Sequence, residues 1–151
     1  MKTKEAVKND VIADEIKKIS DQNGGILKPE IIVKEAEQEE SPLHPYFCWD
    51  DSEAAHAYRI WQARQLIAVV VQYEKHIGKN TRVYVSLSQD RVNEGGGYRV
   101  LADVLSDRHL RNELLSDALK ELNRFEEAYK DLKELAEVFE SIRSVRKKIK
   151  I

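Results

Sequence analysis

The sequence predicts an α+β fold, in which N-terminal helices and a β-hairpin precede a long C-terminal helix or helical hairpin. Three observations support it: apolar residues at helical spacing in the first 40 residues, an alternating run over 81–87, and an uninterrupted helical pattern from Ser106. A small antiparallel sheet with a winged-helix-like arrangement is one form of this fold. We expect an α+β domain over 1–104 and an amphipathic, coiled-coil-like segment over 105–151.

The first two helices are marked by apolar spacing and by their ends. Apolar residues recur near the N-terminus at Val11, Ile12, Ile16 and Ile19. They predict a helix over 9–22, which Gly24 terminates because glycine is common just after a helix. A second helix begins at Pro29, a favourable first-turn residue, and fades after Ala36.

Residues 41–51 form an unusual segment with two prolines and three aromatic residues. The prolines prevent a long helix, and this much aromatic surface favours burial, so we predict an ordered, partly buried loop. A third helix then begins at Asp50 or Asp51, with Glu53 at the spacing of a capping box. Apolar residues occupy most of its circumference as far as Ile67, so we expect it to be the most buried helix.

The pattern then becomes that of strands. Residues 68–73 contain three consecutive β-branched valines, and 81–87 alternate so that Val83, Val85 and Leu87 share one face. With a turn over 76–80, these runs predict a β-hairpin. We expect a polar loop over 88–97, mobile over 93–97, and a short third strand over 98–100.

The helical pattern after Ser106 or Asp107, either of which is a plausible cap, contains no Gly or Pro. Its apolar seam steps by four and three residues: Ala118, Leu122, Phe125, Tyr129, Leu132, Ala136 and Phe139. One continuous helix of this length would span about 60 Å. Either it breaks near 130–134 and folds back, or it projects and pairs with a partner.

Composition excludes several classes of function. The formal net charge is −2, and residues 1–50 contain 7 Lys/Arg against 11 Asp/Glu. This balance does not indicate the strongly basic surface that is typical of nucleic-acid-binding proteins. The single cysteine excludes an intramolecular disulfide. No apolar run has the length of a signal peptide or a membrane span. We therefore expect a soluble, intracellular protein with no membrane partner.

No catalytic or metal site emerges from the sequence. Cys48 with His44 or His56 suggests a nucleophile and base, but no orienting group or oxyanion donor accompanies them. His44, Cys48, Asp50 and Asp51 match no zinc spacing. We predict a small buried thiol at Cys48, no cofactor, no metal and no enzymatic activity.

The candidate binding residues, in structural or partner contacts, are Arg59, Gln62, Arg64, His44 and Trp49. The two arginines lie in a largely apolar helix, so one interpretation pairs them with Asp50, Asp51 or Glu53. The other places them on an exposed edge that contacts phosphate or bases together with Gln62 and Gln65. The predicted self-association seam consists of Leu122, Phe125, Tyr129, Leu132 and Phe139.

The central segment resembles a family of small uncharacterised phage and prophage proteins. The resemblance rests on Ser41-Pro42-Leu43-His44, Phe47, Trp49-Asp50-Asp51, Ala54-Ala55, Tyr58-Arg59 and Gln62-Ala63-Arg64, and it extends from Gly25 to about Ile142. The family usually carries Glu where this chain has Cys48. The resemblance implies a phage setting, and with it the cytoplasm of a bacterial host cell, but no established activity.

Two function classes remain from these observations. The first is a non-enzymatic accessory protein that forms homo-oligomers and binds a host or phage protein. The alternative is a winged-helix-like DNA-binding protein of phage early functions, in regulation or recombination. The near-neutral charge and the long connection between the second and third helices count against DNA.

Overall fold

The computed structural model describes residues 4–49, 53–74, 79–92 and 96–149. The chain divides into two compact units, residues 1–103 and 104–151. The architecture is a mostly helical α+β fold, with N-terminal helices, a small three-stranded antiparallel sheet and two long C-terminal helices. This confirms the predicted fold class.

Three helices build the core of unit 1: α1 (Lys4–Gln22), α2 (Pro29–Ala36) and α3 (Glu53–Val69). Helix α2 begins at the predicted Pro29 and ends at Ala36, just before the acidic stretch 37–40 in which the sequence predicts that it fades, whereas α1 begins five residues earlier than predicted. The apolar spacing of α1 buries one stripe, Ile12, Ile16 and Ile19. The core continues through Leu27, Ile32, Val33, Leu43, Phe47, Ala63, Leu66 and Ile67.

The three-stranded sheet of unit 1 consists of β1 (Ile26–Leu27), β4 (Tyr84–Val85) and β5 (Tyr98–Val100), in the antiparallel order β1-β5-β4. A separate antiparallel hairpin, β2 (Val71–Glu74) and β3 (Lys79–Arg82), lies between α3 and β4 in the chain. Without this inserted hairpin and the five-residue helix Ser88–Val92 between β4 and β5, the order is helix, strand, helix, helix, strand, strand, with the last strand in the middle of the sheet. A winged helix has the same order.

The predicted hairpin is confirmed as an antiparallel pair of strands, 71–74 with 79–82, but the predicted bounds of both strands are wrong. Most of its predicted turn over 76–80 lies outside the described residues. Helix α3 continues to Val69, so residues 68 and 69 are helical rather than extended. The predicted strand 81–87 breaks at Val83, where the chain passes from β3 to β4. Val83 donates to the Val70 carbonyl (3.3 Å) and accepts from the Leu101 amide (2.7 Å). Tyr84 and Val85 are both buried, so the two-residue alternation fails.

The predicted polar loop 88–97 contains a short helix, α4 (Ser88–Val92). Asp90 in this helix is 6% exposed. It accepts three hydrogen bonds from Arg99 of β5 (2.7, 2.9 and 3.1 Å) and a longer one from the Leu87 amide (3.4 Å). An ion pair therefore joins the two ends of this segment; residues 93–95 lie outside the described part of the chain.

Unit 2 is a helical hairpin. After α5 (Leu101–Ser106), Asp107 caps α6 (Arg108–Tyr129) by accepting from the Leu110 amide (2.9 Å), as predicted. The chain then turns through a 3₁₀ segment (Lys133–Leu135) into α7 (Ala136–Lys148). The centroids of the Phe125 ring in α6 and the Phe139 ring in α7 are 6.2 Å apart. Of the two predicted alternatives, the break near 130–134 is confirmed, and the single 60 Å helix is not formed.

Candidate functional site

The side chain of Gln62 in α3 binds the backbone of the long connection between α2 and α3. Its amide oxygen accepts from the Cys48 amide (3.2 Å), and its amide nitrogen donates to the Tyr46 carbonyl (3.1 Å). Both partners belong to the main chain, so this side chain fixes the path of the loop whatever side chains those positions carry. Leu43 and Phe47 of the loop are buried, which confirms the predicted ordered loop for 41–49.

Arg59 lies one turn before Gln62 and contacts the same loop. Its Nη1 donates to the Cys48 carbonyl (3.2 Å), and its guanidinium lies 5.5 Å from the centre of the Trp49 ring, a cation–π contact. The predicted ion pairs with Asp50, Asp51 or Glu53 involve side chains outside the described ones. The contacts that the structure does describe hold Arg59 against its own chain.

His44 and Trp49 close the loop onto α2. His44 Nδ1 lies 2.8 Å from the carbonyl oxygen of Ala36, the last residue of α2. Because a carbonyl only accepts, this hydrogen bond requires the proton on Nδ1. The Trp49 indole stacks on the His44 ring and donates to the His44 carbonyl (3.0 Å). Both side chains therefore form hydrogen bonds with backbone carbonyl groups of their own chain.

Arg64 and Cys48 lie at the surface. Arg64 is exposed on α3, which leaves it accessible to a partner. The buried thiol predicted at Cys48 is wrong, because Cys48 is exposed. Its backbone is held by Arg59 and Gln62, and the aromatic burial of the loop is met by Phe47 instead.

The outer face of α3 carries an aromatic pair that the sequence analysis did not single out. Tyr58 and Trp61 are 49% and 52% exposed, and their rings stack with centroids 5.6 Å apart. Arg64 follows three residues after Trp61 and is exposed on the same side. The prediction that α3 is the most buried helix is therefore wrong. The number of apolar residues around α3 did not indicate that the side with Tyr58 and Trp61 is exposed.

The predicted self-association seam is divided between covered and open positions. Phe139 is 4% exposed, whereas Phe125 is 39% exposed. Leu122, Tyr129 and Leu132 are also exposed. On α7, Val138 and Val145 lie two turns apart and are both exposed. The hairpin therefore buries part of its apolar seam, and the rest of the seam is exposed to water.

Comparison of this chain with protein-family models, curated proteins and solved structures finds no match. Its function is therefore argued from its own surfaces. Within the described residues, no three His, Cys, Asp or Glu side chains are close enough together to hold a metal ion. Nor does that part of the chain contain a helix with the length and apolarity needed to cross a membrane.

Proposed function

We propose that this chain is a non-enzymatic phage or prophage accessory protein that self-associates through unit 2 and binds a host or phage protein through unit 1. The observation that carries the proposal is the open apolar side of the helical hairpin. The pairing of the two helices buries Phe139 and Ile142 but leaves other apolar side chains of both helices exposed, and exposed patches of this kind commonly mark protein interfaces. The resemblance of the central segment supports the phage setting.

A second copy of the hairpin is the occupant that fits this surface. Leu122, Phe125 and Tyr129 follow the three-and-four spacing with which helices pack in bundles, and α6 and α7 already pair within one chain. Two hairpins facing each other would form a four-helix bundle, an arrangement in which each helix turns its apolar side toward a shared core. Closed twofold pairing is also the commonest mode of self-association.

Sedimentation velocity of the full chain tests this part. We expect a dimer at high micromolar concentration and a monomer when Phe125 and Tyr129 are both changed to serine. The matched control is Val92→Ser. Val92 lies in α4, outside the hairpin, and is the most exposed large apolar residue in the described part of the chain. A wild-type monomer at every concentration, or a double variant that remains dimeric, would refute self-association through the hairpin.

The outer face of α3 is the second surface of the proposal. Tyr, Trp and Arg are the residues that most often dominate binding energy at protein interfaces, and this face combines Tyr58, Trp61 and Arg64. The stacked rings present flat, rigid apolar area with few side-chain rotamers to immobilise. A protein partner with an apolar pocket and a nearby carboxylate has the complementary chemistry.

A photocrosslinking amino acid at position 61 tests this second surface. In lysate of a bacterial host, we expect one adduct of defined mass at position 61, lost when Arg64 is changed to Glu. The same crosslinker at Glu35, an exposed position of α2, serves as the control. Equal adducts at both positions, or none at position 61, would contradict a specific partner at α3.

DNA binding is the alternative, and the winged-helix order of unit 1 favours it. In that arrangement α3 would enter the major groove. Unit 1 carries 14 Lys/Arg against 17 Asp/Glu, a net charge of −3, which opposes the phosphate attraction on which such binding depends. Fluorescence anisotropy with a labelled duplex at low salt distinguishes the two. A salt-dependent increase, abolished by Arg64→Ala, would establish the alternative.

A further inference from the structure

Helix α7 has an exposed apolar stripe that the predicted seam does not include. Val138 and Val145 lie two turns apart on this stripe with Ser141 between them, and all three are exposed. Phe139 and Ile142 are buried and belong to the other side of the helix. The distance between two packed helices depends on the side chains at their contact, so these short side chains allow another helix to approach closely.

The charges of α7 are separated along the helix. Its first turn carries Glu137, whereas its last turn carries Arg146, Lys147 and Lys148. Glu137 and Lys148 are both exposed, and they lie on the same flank of the apolar stripe because the eleven residues between them make about three turns. Two copies of such a helix attract each other when they are antiparallel and repel each other when they are parallel.

The exposed apolar residues of α6 have their centre at the same level of the hairpin as the stripe of α7. On α6 that centre is Phe125, and on α7 it falls at 141–142. Phe125 contacts Phe139 (6.2 Å between ring centroids), and the adjacent Glu126 binds Arg143 (3.1 Å), so the contacts of this level fall on both sides of 141–142. One twofold axis across both helices at this level would therefore pair each helix with its own copy.

We propose that two hairpins associate with their turns at opposite ends, so that α7 packs antiparallel against α7 of a second copy. This rests on the self-association proposed above and adds its orientation and its pairing. Val138 packs against Val145 of the other copy, Glu137 pairs with Lys148 of the other copy, and the two Phe125 rings meet at the axis. An axis along the helices would instead place α7 beside α6 and leave the complementarity of α7 with itself unused.

Charge reversal on α7 of the full chain tests the pairing. Glu137→Lys and Lys148→Glu each turn two attractive contacts into repulsive ones, so we expect each variant to dimerise on the order of tenfold more weakly than wild type. A mixture of the two variants restores both contacts. With one variant ¹⁵N-labelled, native mass spectrometry should therefore show heterodimers in excess of the statistical proportion. Each reversal also opposes the helix dipole, but that penalty is the same in both kinds of dimer and cancels.

The matched control reverses a glutamate outside the hairpin. Glu35→Lys changes an exposed position of α2, and its mixture with Lys148→Glu should form heterodimers in the statistical proportion. A preference equal to that of the Glu137→Lys mixture would show that net charge alone selects the partner. That result, or a statistical mixture from the two α7 variants, would overturn the antiparallel pairing.

Disulfide trapping tests the orientation independently of charge. In a Cys48→Ser background, chains with Val138→Cys are mixed with ¹⁵N-labelled chains with Val145→Cys and oxidised. We expect the mixed disulfide, because a disulfide requires Cα atoms within about 7 Å and only antiparallel helices bring these two positions together. Disulfides within each variant, or none in a dimeric sample, would refute the orientation but not self-association. A wild-type chain that is monomeric at every concentration would refute both.

Discussion

The two units of this chain hold their structure together by different means. Unit 1 surrounds a continuous apolar core and fixes its irregular segments with polar side chains that contact the backbone, as Gln62 does for the long loop. Unit 2 consists mainly of two paired helices, whose apolar residues are only partly covered. Its helices are also joined by ion pairs of Glu126 with Arg143 (3.1 Å) and Arg146 (3.4 Å), both of which remain partly in water.

By this difference, unit 1 is a self-contained scaffold, whereas unit 2 presents an uncovered apolar surface. A core that encloses its apolar residues gains most of its free energy of folding internally, whereas burying the open apolar side of the hairpin would require a further chain. Substitutions at buried or pinned positions of unit 1 should therefore reduce the stability of the monomer. Ion-pair substitutions in unit 2 should have smaller effects on that stability.

The largest effect is expected at Asp90. Asp90→Ala leaves the Arg99 guanidinium without its bidentate partner and the Leu87 amide without its side-chain acceptor, so we expect a loss of about 2–3 kcal/mol of the free energy of unfolding. Urea denaturation measures it. Gln89→Ala, at the exposed neighbouring position, is the control. A loss equal to that of the control would show that the ion pair contributes nothing.

A smaller effect is expected at Gln62. Gln62→Ala removes two hydrogen bonds to the loop backbone, and we expect a loss of about 1–2 kcal/mol. Hydrogen exchange should become faster at the Cys48 amide, because that amide loses its acceptor. The control, Gln65→Ala, changes an exposed glutamine of the same helix. Unchanged exchange at Cys48 in the Gln62 variant would contradict the pinning role.

A still smaller effect is expected in the hairpin of unit 2. Glu126→Gln weakens the ion pairs with Arg143 and Arg146, and because these charges are partly in water the loss should be about 0.5–1 kcal/mol. Glu127→Gln affects a longer, exposed pair with Lys130 (3.7 Å) and should cost less. A loss at Glu126 as large as that at Asp90 would remove the distinction between the two units.

The smallest effect concerns alkaline pH. Burial raises the pKa of Tyr84 above its ordinary value of 10.0, so the folded state retains this proton when the unfolded state loses it. The contribution of Tyr84 to stability is therefore complete below pH 10 and declines as the pH rises above it. Tyr84→Phe should make the stability fall less steeply between pH 9 and 11. Parallel pH profiles of wild type and variant would contradict this account.

The sequence predicted features that depend on local chemistry. Pro29 marks the start of α2, Asp107 caps α6, and the interruption of the C-terminal helix falls near the predicted 130–134. It did not predict features that depend on distant neighbours. The burial of Asp90 depends on Arg99, nine residues away, and the exposure of Trp61 depends on which elements fail to cover α3.

The prediction for Cys48 failed for the same reason. Aromatic residues on both sides suggested burial, but the chain turns so that Phe47 enters the core and Cys48 faces water. Successive residues of an extended segment point in opposite directions, so one buried neighbour implies an exposed one. The sequence alone did not determine which of the two would be inside.

The backbone contacts that pin Cys48 also have a practical consequence. The chain contains this single cysteine, whose side chain is exposed while its amide and carbonyl are both held by α3. A thiol-reactive spin label or fluorophore can therefore be attached at one defined position without mutagenesis. Distances measured between labels on different chains would then test the proposed self-association directly, because a closed twofold dimer gives a single label-to-label distance.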